Sequence, residues 1–554
     1  MVESVLPVLP LHSGDTGLPL FMGAGGLPPR LVEVHVNGIR WIPGVYGLVD
    51  ATGVPEIVGE KIILQKTFSA FPFSAKRNPL VFFYASSPAD YQVPRSSINF
   101  VRGPFGGDAI RAWVARRLSS RLSVHFTLDE ANSSGQFPNL PYDGQKLTAE
   151  LRYKLSGQAA LRYFYFDSRN EAGAKAPFYP EEQFIGSQRP VSDSAGFGKE
   201  QRIFHGMEFS MPAFFVRPFY WELRNEFRSS ALRVRHRTEQ AGIEAGWQRG
   251  GERWNATVFA DFRRDEVIST SVAVPRSQNY LARGELDWTP AKNLQTQIAA
   301  AIHKEASWPA AFDVDFNFGV RFRKNLQAEA ALNRRIINPA PAEFANTLPV
   351  LQSNKNLQPG ELQRATLGLG WKRSDQKFLQ IEFSVNRLLE AFVLDTLAST
   401  GDGYLRNSRR QNAPGFDFMA HWQLSRKLNV GGHGSWLLKE PPNLFWYQHL
   451  RRGFARGFVE FFHDFFGGDL AASLRLVWRY YGESRAPIYT TTNLPSYVEI
   501  GGGALMDAQL SFRHGSGTVY FSYENIFDKR MQWRPGVQAP GVFLKWGVRV
   551  DFRN

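Results

Sequence analysis

The segment 542–552 alternates without a gap. Val542, Leu544, Trp546, Val548, Val550 and Phe552 are apolar, and Phe543, Lys545, Gly547, Arg549 and Asp551 between them are mostly charged or small. A strand sends successive side chains to opposite faces, so this spacing predicts a strand with one apolar and one charged face. The same period persists from about Ser96 to the C-terminus. Leu147, Ala149, Leu151 and Tyr153 alternate with Thr148, Glu150, Arg152 and Lys154. Phe312, Val314, Phe316 and Phe318 alternate with Asp313, Asp315, Asn317 and Gly319, and further on Leu474, Leu476 and Trp478 alternate with Arg475, Val477 and Arg479. Charges this frequent cannot line a packed sandwich core, where each would cost several kcal/mol unless paired. They fit a wide, wet lumen with lipid on the other face.

The connections alternate as well. Tight turns are expected near Ser119, Gly157, Pro212, Gly250, Pro290, Lys324, Ser374, Arg426, Gly467 and Gly515, and between them lie long connections such as 170–199, 267–278, 337–361, 395–414, 483–501 and 527–540. Short turns at one end and long loops at the other mark a transmembrane barrel; about ten such turns imply about 22 strands, with 18 or 20 still open because the region 213–248 is the least regular. Tyr153, Trp247, Trp288, Phe322, Trp371, Trp422 and Phe512 sit on the apolar face beside short turns. Aromatic rings held at one depth form an interfacial girdle. The expected fold is all-β: a large antiparallel transmembrane barrel over residues 95–554, preceded by a small α+β unit over 1–94.

That N-terminal unit is rich in Pro and Gly. Residues 31–40 read as a strand ending in a tight Asn37-Gly38 turn. Val54–Glu60 read as a short helix or turn, and Lys61–Lys66 as a second strand. Residues 1–7 carry no basic stretch followed by an apolar run, so no export signal is visible there and the reading takes the start as a mature or misassigned position.

Composition adds three constraints. The 554-residue chain has 14% aromatic residues, a formal charge of +14 and no cysteine, which excludes disulfides and thiolate metal sites. No window approaches the apolar length that a spanning helix needs. Mean hydropathy is −0.30, an average that is blind to strands apolar on only one face. The positive charge fits attraction to anions, and its alternation along strands excludes the basic run or helix of a nucleic-acid binder. Histidines are scattered without metal-ligand spacing, and the glycine runs Gly25-Gly26 and Gly501-Gly502-Gly503 lack phosphate-loop context. Neither catalysis nor a metal or other cofactor is expected.

Two stretches carry a family resemblance. Tyr523-Glu524-Asn525-Ile526-Phe527-Asp528-Lys529-Arg530, followed by a loop and the final alternating strand, resembles the C-terminus of TonB-dependent outer-membrane receptors. Val34–Gly38 through Val54–Leu64 resembles the second half of that family's plug domain. The resemblance implies a receptor–transporter for a scarce solute in the outer membrane. Its implied partners are outer-membrane lipid and lipopolysaccharide, TonB in the periplasm, a small-molecule ligand, and a surface lipoprotein or other envelope protein at the loops. Departures are a plug region shorter than the family's, no clear TonB box (Val2–Val5 is the nearest match), and Arg553-Asn554 after Phe552. The alternative is a passive pore or scaffold barrel descended from such a receptor. Inward Arg152, Arg321, Arg323, Arg475 and Arg479 are the candidate contacts for an anionic ligand such as a metal chelate, because guanidinium binds carboxylate and phosphate in bidentate fashion. Neighbours such as Glu150, Asp313 and Asp315 offer those arginines a structural pairing instead.

Overall fold

A computed structural model describes most of the chain from 93 to 553. It leaves out 136–140, 174–196, 229–232, 271–275, 306–307, 340–350, 353, 355, 375, 397–402, 440–450, 490–494 and 535–536. Before residue 93 it describes 9–12, 20–23, 27–28, 31–36, 39–40, 61–65 and 80–85.

The N-terminal strands are β1 (Leu9–His12), β2 (Leu20–Gly23), β3 (Val32–Val36), β4 (Ile39–Arg40), β5 (Lys61–Gln65) and β6 (Leu80–Ala85). β1 pairs with β2, and the rest form a mixed sheet in the order β4-β3-β6-β5. Val36 pairs with Ile39, and the Asn37-Gly38 turn between them lies outside the described residues, as does Val54–Glu60. Leu27, Leu31, Val32, Val34 and Val36 are buried, so β3 lies in a core.

The wall follows in chain order. It begins with β7 (Arg95–Arg102), β8 (Asp108–Arg117), β9 (Leu122–Ser133), β10 (Tyr142–Lys154), β11 (Ala160–Gly173) and β12 (Phe197–Met211). Next come β13 (Phe214–Arg228), β14 (Arg233–Gly250), β15 (Trp254–Ser269), β16 (Ser277–Ala291), β17 (Leu294–Lys304) and β18 (Ala311–Arg323). β19 (Leu326–Ile337), the short loop strand β20 (Leu351–Gln352), β21 (Gly360–Ser374), β22 (Lys377–Thr396) and β23 (Gly403–Ser425) continue it. β24 (Leu428–Leu437), β25 (Gly453–Phe465) and β26 (Leu470–Tyr481) precede a loop hairpin of β27 (Ser484–Tyr489) and β28 (Pro495–Ile500). β29 (Gly503–His514), β30 (Gly517–Glu524), the loop pair β31 (Gln532–Arg534) and β32 (Val537–Gln538), and β33 (Phe543–Arg553) complete the chain.

The result is a closed antiparallel barrel of 22 strands. β33 closes it on β7, from Trp546↔Arg102 to Arg553↔Arg95. Closure leaves no sheet edge, which lipid could not satisfy. All ten expected short turns join their strands at one end, where serines cap several of them. Ser119 Oγ accepts from the Leu122 amide at 3.0 Å and Ser156 Oγ from the Ala159 amide at 3.2 Å. Gly467 and Gly515 take φ of 68° and 54°, which side chains seldom tolerate. One expected long connection differs. Residues 395–414 are mostly strand, because β22 and β23 stay paired up to Thr396↔Gly403. That far from the apolar belt, polar residues no longer signal a loop, since neither face of the hairpin needs to be apolar.

The outward positions form a continuous apolar belt. Val258 is 53% exposed, Leu332 60% and Leu367 56%, far beyond what a water-facing surface carries contiguously. Below the belt, Trp371 and Trp422 stack at 4.9 Å, and Trp254 pairs with Trp288 across β15 and β16. Apolar strands between aromatic rows are built to span a bilayer.

Candidate functional site in the lumen wall

Many inward positions are polar and buried, beside an inward apolar cluster of Phe215, Phe259, Leu281 and Ala301. Glu150, Asp261, Asp315 and Arg364 are each under one-tenth exposed, so protein covers the wall from within. A barrel of this strand number without a filling would leave them wet. β1 touches β25, which brings the N-terminal region to the wall.

Buried charges must be matched, and these are matched by neighbours across the strands. Arg162 Nε lies 2.8 Å from Glu150. Arg217 bridges Glu208 at 2.6 Å and Glu244 at 2.9 Å, while its guanidinium covers the Phe215 ring at 4.6 Å. Arg263 holds Asp261 at 2.6 Å. Asp315 is the densest node: it accepts from Arg335, from Asn333 at 2.7 Å, and pairs with Arg283 at 3.0 Å. Gln297 donates to Glu285, the second partner of Arg283, and to Asp287, and it accepts from Asn317. Next to it, His303 Nε2 sits 3.3 Å from Asp313. Arg364 donates to Asn386 at 2.8 Å and to Glu382 at 3.1 Å. The wall from β10 to β22 is thus a lattice of compensated charge.

The five arginines singled out from the sequence do not converge. Arg152 lies on β10, within electrostatic reach of Glu208. Arg321 and Arg323 are exposed at the short-turn rim of β18. Arg475 stacks over Phe458 at 4.1 Å. Arg479 is bound to Asp507 at 2.7 Å, with Glu524 at 4.0 Å. The structural pairing foreseen for such arginines therefore holds for Arg479. Glu150, Asp313 and Asp315 are also paired, but with Arg162, His303 and Arg335, each from an adjacent strand.

Arg479 belongs to a lock at the loop end. Asp507 also accepts the Asn525 amide at 3.0 Å. The Asn525 side chain donates to the Lys529 and Pro540 carbonyls at 3.1 and 3.0 Å and accepts the Lys529 amide at 2.9 Å. Asp528 Oδ1 accepts the Val542 amide at 3.0 Å. Asn525 and Asp528 have φ of 51° and 48°, a region that Asn and Asp enter more readily than most residues. The motif read at 523–530 therefore folds the connection that leads β30 into β33.

Sequence reasoning missed Arg451. It lies outside the strands and is 2% exposed. Its guanidinium donates to the carbonyls of Gly482 at 2.9 Å, Gly501 at 3.0 Å and Gln532, tying together three loops. Burial pushes Arg451 down to about 10. Its signal, a lone Arg-Arg-Gly after a Pro-Pro loop, is not distinctive. Arg217 was missed because it lies in the least regular part of the pattern.

No protein-family model and no curated protein matches the chain. Solved structures do. The siderophore receptor PirA of Acinetobacter baumannii is 12% identical, with a TM-score of 0.75 over 100% of this chain and 96% of that one. The FrpB iron transporter of Neisseria meningitidis (F5-1 variant) is 10% identical, with a TM-score of 0.76 over 100% and 97%. A point mutant of the ferric enterobactin receptor PfeA of Pseudomonas aeruginosa, in complex with enterobactin, is 11% identical, with a TM-score of 0.75 over 100% and 96%. At such identities the likeness is one of fold: this chain has the fold of these transport receptors.

Proposed function

We propose that the chain is an outer-membrane receptor–transporter of the TonB-dependent kind, taking up a scarce solute of the anionic metal-chelate class. In this reading residues 1–94 are the plug and 95–554 the barrel. The observation that carries it is a fold shared along the whole chain, N-terminal sheet included, with structures described as iron transporters and siderophore receptors. The covered, charge-compensated lumen wall supports a gated path over an open pore. The charged sectors of the wall can exchange hydrogen-bond partners with a moving plug. Arg152 and Arg475 are the lumen arginines assigned to ligand contact, Arg321 and Arg323 serve the exit rim, and Arg479 takes part only if Asp507 releases it.

The test is uptake of radio-iron presented as a panel of chelates to iron-starved cells with and without the gene. Gene-dependent uptake of one chelate, abolished when TonB is removed, is expected. Uptake of small solutes in proportion to concentration, unaffected by TonB, would overturn the reading in favour of a passive pore.

A further inference from the structure

The apolar belt is not uniform around the barrel. Across β23, β24 and β25 the register sets Ala420, Gly432 and Gly457 side by side on the lipid face, with Gly434 and Ala455 in the row above. A wall of such small residues is sunk below its surroundings. The Trp478 indole folds over Gly457 and closes one side of the hollow. Trp422 and Val430 rim its lower edge, and on its upper side the Phe418 ring stacks on Trp436 at 5.6 Å. The hollow has a volume of about 470 Å³.

The neighbouring strands carry the opposite relief. On β21 and β22, Leu367, Leu369 and Phe383 are each more than half exposed. Leu367 pairs with Phe383, and Leu369 with Ile381, so large side chains stand side by side as a ridge. Ridge and hollow lie at one height. Leu369, Leu367 and Phe383 are five, seven and six residues from the short-turn ends of their strands, at Ser374 and Lys377. Ala420, Gly432 and Gly457 are five, four and eight residues from theirs, at Ser425, Leu428 and Phe465. The two features are offset by roughly 12 Å around the wall, at about 4.8 Å per strand.

Physical chemistry in lipid favours a partner with fixed relief. Lipid tails are as apolar as leucine, so burial from water drives nothing here. Association comes from van der Waals fit, and small residues strengthen it by allowing close approach. A ridge already ordered by its strands also loses less freedom in filling the hollow than a flexible acyl chain would. A two-fold axis along the membrane normal, between β22 and β23, sets the ridge of each copy in the hollow of the other. That is the isologous contact of a closed pair. Five strands at about 4.8 Å and a belt about 25 Å tall present roughly 600 Å² per copy, about 1,200 Å² for the pair, which reaches the lower end of specific interfaces.

We propose that the outer face of β21–β25 is the interface of a homodimer in the membrane plane, with Leu367, Leu369 and Phe383 of one protomer seated over Ala420 and Gly432 of its partner, against Trp478. The inference rests on the outer-membrane placement in the proposed function and on no step of transport.

The chain has no cysteine, so an introduced thiol reports alone. Phe418 lies beside the axis. Full-length Phe418→Cys, oxidised with copper phenanthroline in native outer membranes, is expected to form a covalent pair. Leu151→Cys, exposed to lipid in β10 on the opposite wall, is expected to form at least about tenfold less. Ala420→Trp fills the hollow, and added to Phe418→Cys it lowers cross-linking about tenfold. Independently, the unaltered protein, extracted with its own lipid by a copolymer and weighed by native mass spectrometry, is expected as a two-copy species. A single copy, with or without retained lipid, or a complex with a different protein would overturn the proposal. So would equal cross-linking at Leu151→Cys, or none lost when Ala420→Trp is added. Heat-modifiable migration shows that each variant is a folded barrel. Absence of the unaltered chain from the outer-membrane fraction would overturn the placement itself, and an inserted but single-copy chain would overturn the pairing alone.

Discussion

Asp315 offers the sharpest test of whether the lumen wall is covered. Its carboxylate serves Arg335, Arg283 and Asn333 at once and is 4% exposed. Replacing it with Asn keeps the volume and removes the charge shared by two guanidiniums. Breaking a buried ion pair by deleting one partner costs about 3–5 kcal/mol. Arg283 retains Glu285 at 3.3 Å, which places the expected loss near the lower bound, about 3 kcal/mol. Removing both charges, as in Asp315→Asn/Arg335→Met, leaves no uncompensated charge at the node, so the double variant should regain about 1–3 kcal/mol over the single one. The assay is urea unfolding in lipid vesicles followed by tryptophan fluorescence, completing a cycle with Arg335→Met. A single variant within about 0.5 kcal/mol of the parent would refute the reasoning, because only a solvated pair is worth so little.

Other expectations follow from the loop end and the wall. Asn525→Ala removes three side-chain hydrogen bonds and places Ala at a φ of 51°, so about 2–4 kcal/mol of local stability is lost and limited proteolysis within 525–542 accelerates. Arg451→Leu unties three loops and raises their cleavage rate without changing the unfolding of the barrel. Arg451→Lys does not restore protection, because a single ammonium cannot reach three separated carbonyls. Since burial lowers Arg451 only to about 10, its charge persists at every lower pH, and protection of these loops should be flat from pH 6 to 9. A fall within that window would contradict the staple. Gly457→Val would drive a Cβ into the Trp478 indole, so it costs about 1–3 kcal/mol in thermal or urea unfolding, and Trp478→Ala in the same chain relieves part of it.

The barrel was legible because its two causes are local. Alternation at 542–552 or 312–323 states which face meets lipid, and Gly, Pro or Ser at most of the tight turns states where the chain reverses. The lattice inside was not legible. Whether Asp315 meets Arg335 or Arg321 depends on strand stagger, which no single strand encodes. For the same reason Arg479 was read as a ligand contact: its partner Asp507 arrives from β29, beyond a long connection. The motif at 523–530 was recognised as a resemblance, but its role as a hydrogen-bonded lock emerges only from the left-handed Asn525 and Asp528. Arg217 and its partners were hidden in the region 213–248, where charge on both faces erases the alternation that marks 312–323 and 542–552.

The most direct test of the gated-receptor account is single-channel conductance of the full-length protein in a planar bilayer, beside a chain starting at residue 93 whose folding is checked by heat-modifiable migration. The account predicts a silent full-length barrel and a large, steady conductance in the shortened one. A full-length protein that conducts as widely as the shortened chain would contradict it.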